Sequence, residues 1–445
     1  MIWIQFLILL SAVLIGSRMR GIGLGVMGMV GMLLFLLVFR MRPAEPPLDV
    51  MLIIFAIVTT SATLQAAGGL DYLVGLAERL IRRHPAQITF LGPFAAYFLC
   101  LFAGTSHIVY SLLPIISEVA AKKRIRPERP LSMSVIASHV ALSGSPMSAA
   151  TAAFASLLVY PGAARDIMLV CIPSCLIGVA AGCFSVVKMG KELDCDPLFL
   201  QKMNDPQFAA SIDAPAAATT AATRGAKTSV LIFSVAILLI VLAGSFPQWV
   251  PHFAAGKANI AINADGSLKM ATIIEIVTLS AAAAIMGITK TSAVAVTKMP
   301  LFTAMAIAVV SVFGVVWMSA TFMEHNEAVL KTALGHFVQL HPWTFAIAVF
   351  LMAVLMFSQA ATTKVMMPLG IALGLAHTQL IPAFPAVNAD FVVPGYPTLL
   401  AAINFDRTGT TRIGKYVINH SFMRGGLVTL VVAIGVGFLI ATFLL

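Results

Sequence analysis

The chain has 445 residues, 60% of them apolar and 10% charged, with a formal net charge of +10. Soluble domains carry about 25% charged residues, so this composition excludes a water-soluble globular protein and makes lipid the solvent for most of the apolar surface. The basic residues sit in short clusters between apolar runs, which points to juxtamembrane anchoring and not to nucleic-acid binding.

A membrane-crossing helix needs about 20 mainly apolar residues. Apolar runs at 2–16, 21–39, 50–68, 86–120, 131–159, 166–187, 228–246, 270–288, 300–323, 342–376, 382–403 and 425–445 predict an all-α polytopic membrane protein. The run 2–16 has no basic residue before it and no small-residue cleavage pattern, so it reads as a retained first span rather than a signal peptide. The stretches 70–83 and 324–338 carry apolar residues at helical spacing (Leu73, Leu76, Leu80; Val329, Ala333, Phe337) and are expected to be interfacial arm helices. Two runs, 86–120 and 342–376, are too long for one span. Each is interrupted by small polar residues, Gly104-Thr105-Ser106-His107 in the first and Ala361-Thr362-Thr363-Lys364 in the second.

Positive charge decides whether these two runs are broken spans or re-entrant hairpins. With two hairpins and the N-terminus outside, the inside loops carry 21 of the 28 Lys and Arg residues, among them the cluster Lys122, Lys123, Arg124, Arg126 and Arg129. The outside loops carry 6, and Lys364 stays within the membrane. A full crossing at 86–120 would put the 122–129 cluster outside, against the rule, so hairpins are expected.

The two halves echo each other. Ser61-Ala62-Thr63-Leu64 matches Ser319-Ala320-Thr321-Phe322, and His84-Pro85 matches His341-Pro342. A polar break begins 21 residues after each His, at Thr105 and Thr362, and a Pro interrupts the following run at Pro146 and Pro397. This order predicts repeats at 1–187 and 228–445, joined by a cytoplasmic linker 188–227 whose stretch Ala214 to Thr223 is expected to be flexible. Each repeat would hold five crossings, one hairpin (86–120 or 342–376) and one broken helix (131–159 or 382–403). The odd number of crossings inverts the second repeat, a transporter architecture.

Non-helical backbone at membrane depth must be buried in protein or line a wet cavity. The hairpin tips and the broken helices therefore supply the candidate substrate-binding residues: Gly104, Thr105, Ser106 and His107; Ser143, Ser145, Pro146 and Ser148; Gln359, Thr362, Thr363 and Lys364; Gly395, Tyr396, Pro397 and Thr398. Each break frees backbone N–H groups at the positive end of a half-helix, and these attract anions. The Ser and Thr hydroxyls can donate to carboxylate oxygens. Two such poles on opposite sides of one cavity suit a substrate charged at each end.

Lys364 is the sharpest single residue, because an intramembrane lysine is functional by default; pairing with an internal carbonyl or snorkelling is its structural alternative. His107 reads either as a ligand or as a hydrogen-bonded structural residue, and His139 as structural. Asn388 and Asp390 lie in the entry half of the run 382–403; Asp390 reads as interfacial, with a proton or cation site the alternative. The polar breaks themselves contain no Asp or Glu, so the cavity is expected to be built for anions. A cation:proton antiporter, which needs an acid there, and a sodium- or proton-coupled carrier of another small organic anion are the rival readings. Five cysteines form neither a disulfide framework nor a metal spacing. Neither a His-Glu-x-x-His pair nor a Gly-x-Ser-x-Gly elbow is present, so no metal, no cofactor and no enzymatic activity are expected.

Several segments resemble one family: Ser61-Ala-Thr-Leu-Gln-Ala-Ala-Gly-Gly-Leu-Asp71, Phe102-Ala-Gly-Thr105, Ile125-Arg-Pro-Glu-Arg-Pro130, Ser145-Pro-Met-Ser148, Ser358-Gln-Ala-Ala-Thr362, Tyr396-Pro-Thr-Leu-Leu-Ala-Ala402 and, most specifically, Asp406-Arg-Thr-Gly-Thr-Thr-Arg-Ile-Gly-Lys415. They are similar to the anaerobic C4-dicarboxylate transporters known as the Dcu family, over nearly the whole chain apart from the linker. The resemblance implies a bacterial inner-membrane carrier of fumarate, succinate, malate and aspartate, often working by exchange, which would place both termini in the periplasm. It also implies the ion-transporter-superfamily fold, with elevator-type movement of a transport domain against a scaffold, and a homodimer. Ser106, where the family pattern has Gly, and Gly395, where it has Thr or Asn, depart from it and leave substrate preference open.

Overall fold

The computed structural model describes the chain except Met1, Arg20, Gly21, Val159, Pro161, 214–223, Ala255, Lys257, Ala258, Ile260, Ala264, 331–339, Phe357, Pro394, Gly395 and 415–418. Among the described residues the fold is helical, with isolated β-bridges only at His252–Ser267, Ile262–Leu268 and Ile413–His420. Helices dominate because hydrocarbon offers no partner to a free peptide group.

The first half opens with α1 (Ile2–Arg18), α2 (Gly23–Leu37) and α3 (Leu48–Ala66). Gly68, at φ 78°, ends this stretch, and α4 (Gly69–Arg83) departs from α3 at 68°. One face of α4 buries Leu70, Val74, Ala77 and Ile81, while Arg82 and Arg83 close its last turn, the amphipathic pattern its spacing predicts. Next come α5 (Ile88–Ala103), α6 (Val109–Lys122), α7 (Glu128–Val140), α8 (Ala149–Leu157) and α9 (Ala163–Val186).

The linker is not featureless: α10 (Pro197–Met203) and α11 (Pro206–Asp213) precede the stretch 214–223, which lies outside the described residues. The second half holds α12 (Arg224–Ser245), α13 (Met270–Thr289), α14 (Ala293–Thr297), α15 (Pro300–Ser311) and α16 (Trp317–Leu330). The second expected arm, 324–338, is helical to Leu330, and its remainder lies outside the described residues. The chain closes with α17 (Trp343–Met356), α18 (Gln359–Ala372), α19 (His377–Ala383), a 3₁₀ segment Phe384–Phe391, α20 (Pro397–Phe405) and α21 (Met423–Leu444).

Among the described residues, five uninterrupted helices are long and apolar enough to cross a bilayer, and the bent pair α3–α4 counts as a sixth if taken as one span. Other apolar runs are divided. One break falls elsewhere than the sequence suggests. In the run 342–376 the helix restarts at Gln359, where Ser358 caps it by accepting from the Ala361 N–H at 3.3 Å. Thr362, Thr363 and Lys364 are therefore helical residues of α18 and not a loop tip. Ser is the stronger N-cap, and it wins over the Ala-Thr-Thr that follows.

Helices α9 and α21 pack closely because small residues line the contact: a Cβ on Gly178 would lie 2.5 Å from the Thr429 carbonyl oxygen. At one end of the molecule two loops interlock. Arg126 pairs with Glu128 at 2.6 Å and with Asp196 at 2.9 Å, and Ser421 donates to Glu128 at 2.6 Å. Asp406 accepts from Thr408, Thr410 and the Thr411 N–H, shaping the loop that receives the Glu128 N–H at Thr410 Oγ1.

Candidate functional site

The described polar breaks meet in the interior. Gly104 ends α5 at φ 71°, and a Cβ there would lie 2.1 Å from the Met147 carbonyl oxygen, so only glycine lets this tip sit on the 144–148 break. Ser145 stitches the same contact by donating to the Leu101 carbonyl at 2.6 Å. Thr105 caps the turn Ser106–Ile108 that leads into α6, and Ser148 caps α8. Pro397 sits at the first turn of α20, where its missing N–H is no loss. Four half-helix starts are thus present, at Ser106, Ala149, Gln359 and Pro397.

The two broken helices touch each other directly. Asn388, at the kink of the 3₁₀ segment, donates to Ser143 at 2.7 Å and to the Pro385 carbonyl at 2.7 Å. His139, on the last turn of α7, has Asp390 Oδ1 at 2.9 Å from Nδ1 and Thr398 Oγ1 at 2.7 Å from Nε2. Gln359 Nε2 reaches the His139 carbonyl and Asp390 Oδ2, both at 3.5 Å. The Tyr396 ring meets the His139 ring edge-on at 4.7 Å. His107 stacks on Tyr110 at 5.9 Å and is exposed.

Several expectations change. Asp390 is fully buried and bonded to His139, so an acid does sit at the convergence of the breaks. The reason is that the segment before α20 folds inward as a 3₁₀ turn, carrying Asn388 and Asp390 to α7. Thr362 and Thr363 donate to the Ser358 and Gln359 carbonyls at 2.8 and 2.7 Å, so their hydroxyl protons are used within the helix. The Ser145 proton is likewise spent on Leu101. Among the described residues, Thr105, Ser143 and Ser148 are engaged as acceptors and not as donors. Pro146 lies in the break behind Ser145; Gly395 lies outside the described residues.

Lys364 lies a little over one turn beyond Gln359 on α18 and is 2% exposed. Among the described residues it has no hydrogen-bond or ion-pair partner, in contrast to Arg82, Arg126 and Arg129, which all hold carboxylates. The sequence signal that would have found His139 and Asp390 is their position: each lies within two turns of a break on a run otherwise apolar. No group of three or more His, Cys, Asp or Glu able to hold a metal is found among the described residues. A groove of about 610 Å³ between α17, α19 and the end of α21, lined by residues such as Trp343, Gln379 and Phe438, shares none of the break residues.

The model of the family described as "Anaerobic c4-dicarboxylate membrane transporter" matches residues 1–445. The C4-dicarboxylate transporter DcuA of Wolinella succinogenes is 36% identical over 100% of both chains. The anaerobic C4-dicarboxylate transporter DcuB of Escherichia coli O6:H1 is 36% identical over 98% of both. Among solved structures, the YdaH transporter of Alcanivorax borkumensis superposes with a TM-score of 0.50 over 87% of this chain and 85% of its own, at 16% identity, a likeness of fold alone. Interior half-helix starts, a buried lysine and full-length matches at this identity lead to one conclusion: the chain belongs to the anaerobic C4-dicarboxylate membrane transporter family.

Proposed function

We propose that the chain is a secondary transporter that carries C4-dicarboxylates such as fumarate, succinate, malate and aspartate across a bacterial inner membrane by exchange and alternating access. Lys364 carries the reading. A buried ammonium with no carboxylate partner among the described residues calls for an anion from outside the protein. The half-helix starts at Ser106, Ala149, Gln359 and Pro397 add positive dipole ends in the same interior. The hydroxyls of Thr105, Ser143 and Ser148, engaged as acceptors and not as donors among the described residues, are the side-chain donors we assign to substrate carboxylates, with His107, Gln359, Tyr396 and Thr398 shaping the cavity. We further infer two inverted repeats, each of five crossings and one hairpin, periplasmic termini, an elevator-type stroke and a homodimer. The matched order of breaks in the two halves and the charge bias of the loops support this arrangement.

The test is counterflow. Proteoliposomes loaded with unlabelled succinate take up labelled fumarate, malate and aspartate and leave labelled lactate outside. Lactate uptake at an equal rate overturns the two-pole site. One observation favours a second reading, coupling to a cation: Asp390 lies buried at the convergence. Repeating the assay with and without imposed sodium and pH gradients separates that reading from pure exchange.

A further inference from the structure

We propose that His139, held between Asp390 and Thr398, is a proton-binding site whose occupancy is linked to dicarboxylate binding at the start of α20. The proposal rests on the transport reading above. A neutral imidazole carries one N–H, and an ionised carboxylate only accepts. Asp390 Oδ1, at 2.9 Å, therefore fixes the proton on Nδ1, and Nε2 must accept from the Thr398 hydroxyl at 2.7 Å. In this state the Thr398 proton is used inside the protein. When His139 takes a second proton, both ring nitrogens donate. Nε2–H then donates to Thr398 Oγ1, and the hydroxyl proton is released to bond another acceptor.

The place of Thr398 gives that release its meaning. It is the second residue of α20, directly after Pro397, which has no N–H to offer. The freed hydroxyl thus supplies a donor at a half-helix start that already favours an anion. Protonation also turns the His139–Asp390 pair from a net negative charge to neutral. Both changes favour a dianion. Gln359, bridging the His139 carbonyl and Asp390, ties the pair to the helix that bears Lys364.

The other titratable groups near His139 are few. Tyr396, directly before α20, meets its ring, and His107 with Tyr110 come from the turn and helix that follow Gly104. Lys364 belongs to α18. On α5 and α9, Tyr97, Cys100 and Cys171 spend their donors on the carbonyls of Ile172, Ser106 and Ile381, while Cys175 and Cys183 are buried. On α6, Glu118 is held by Arg82 and Lys122, and on α21 Arg424 is exposed. On α7 itself, Glu128 and Arg129 are paired with Arg126 and Glu192. Among the described residues none of these forms an ion pair with Asp390, and His139 is its titratable partner.

Linkage fixes the sign. If the protonated site binds the dianion better, binding takes up a proton, and affinity falls as pH rises, by up to about tenfold per pH unit for one proton. The test is calorimetric titration of the purified full chain with fumarate, a dianion throughout, between about pH 5.5 and 8, in buffers of differing ionisation enthalpy. Wild type is expected to take up as much as one proton per fumarate. His139→Gln is expected to bind with no proton uptake and a flat pH profile. Thr398→Ser keeps the uptake. If His139→Gln does not fold, Thr398→Val decides, because uptake retained in that variant overturns the link. Wild-type fumarate binding with no proton uptake overturns the proton site and leaves the transport reading standing. If wild type binds no dicarboxylate at any pH, the transport reading fails and the proton site fails with it.

Discussion

The Asn388 amide donates to the Ser143 hydroxyl at 2.7 Å, joining the two broken helices at their kinks although the residues lie 245 positions apart. Both side chains are buried, and Asn388 Oδ1 has no partner among the described residues. The bond therefore holds together two segments that the bilayer alone would not align.

Asn388→Ala is expected to lower stability by about 1–3 kcal/mol, since it removes two buried hydrogen bonds. Ser143→Ala should lower it less, and the double variant should fall short of the sum. Thermal unfolding in detergent measures all three. Simple additivity would mean that the two residues do not act as a pair.

Lys364→Ala should reduce dicarboxylate counterflow about ten- to hundredfold, the equivalent of one charge-assisted hydrogen bond. Its thermal stability should be unchanged or higher, because a buried ammonium with no carboxylate partner among the described residues is removed. Full transport activity in this variant would assign Lys364 to structure alone.

Arg126 lies 2.6 Å from Glu128 and 2.9 Å from Asp196. Arg126→Met leaves Glu128 buried without its cation and should lower stability by about 3 kcal/mol. The Asp196 carboxyl sits below its ordinary range: burial alone would raise it, but the Leu198 N–H and the Arg126 guanidinium outweigh burial. A lowered carboxyl gives stability that is present above its unfolded value and lost as pH falls through the folded one. The linker contact should therefore persist at about pH 5 and loosen only below about pH 4, as limited proteolysis across a pH series can follow.

Among the native cysteines only Cys195 is exposed. On a Cys195→Ser background, Lys123→Cys and His377→Cys, both at exposed positions, should react with impermeant reagents from opposite faces of the membrane. Labelling from one face would remove the opposed hairpins.

The break at Gly104 was legible because Gly-Thr-Ser interrupts an apolar run and only glycine suits φ 71° there. The break before Gln359 was misplaced by several residues, because Ser-Gln-Ala-Ala reads as continuing helix unless Ser358 is recognised as a cap. His139 and Asp390 were undervalued for a different reason. Sequence gives distance from a break along the chain, but their contact joins residues 251 positions apart, and only the folded arrangement brings them together. The short helices α10 and α11 were missed because Asp196-Pro197 and Asp205-Pro206 look like loop punctuation, whereas here Pro opens each helix.

The interlock of Glu128, Arg126 and Asp196 with Thr410 and Ser421 uses side chains from both sides of the 214–223 stretch. Lys202 adds a contact to the Thr408 carbonyl across the same divide. Polypeptide continuity through that stretch is thus redundant for holding the halves in register. Two separately translated fragments, severed there, should reassemble in the membrane into one working carrier.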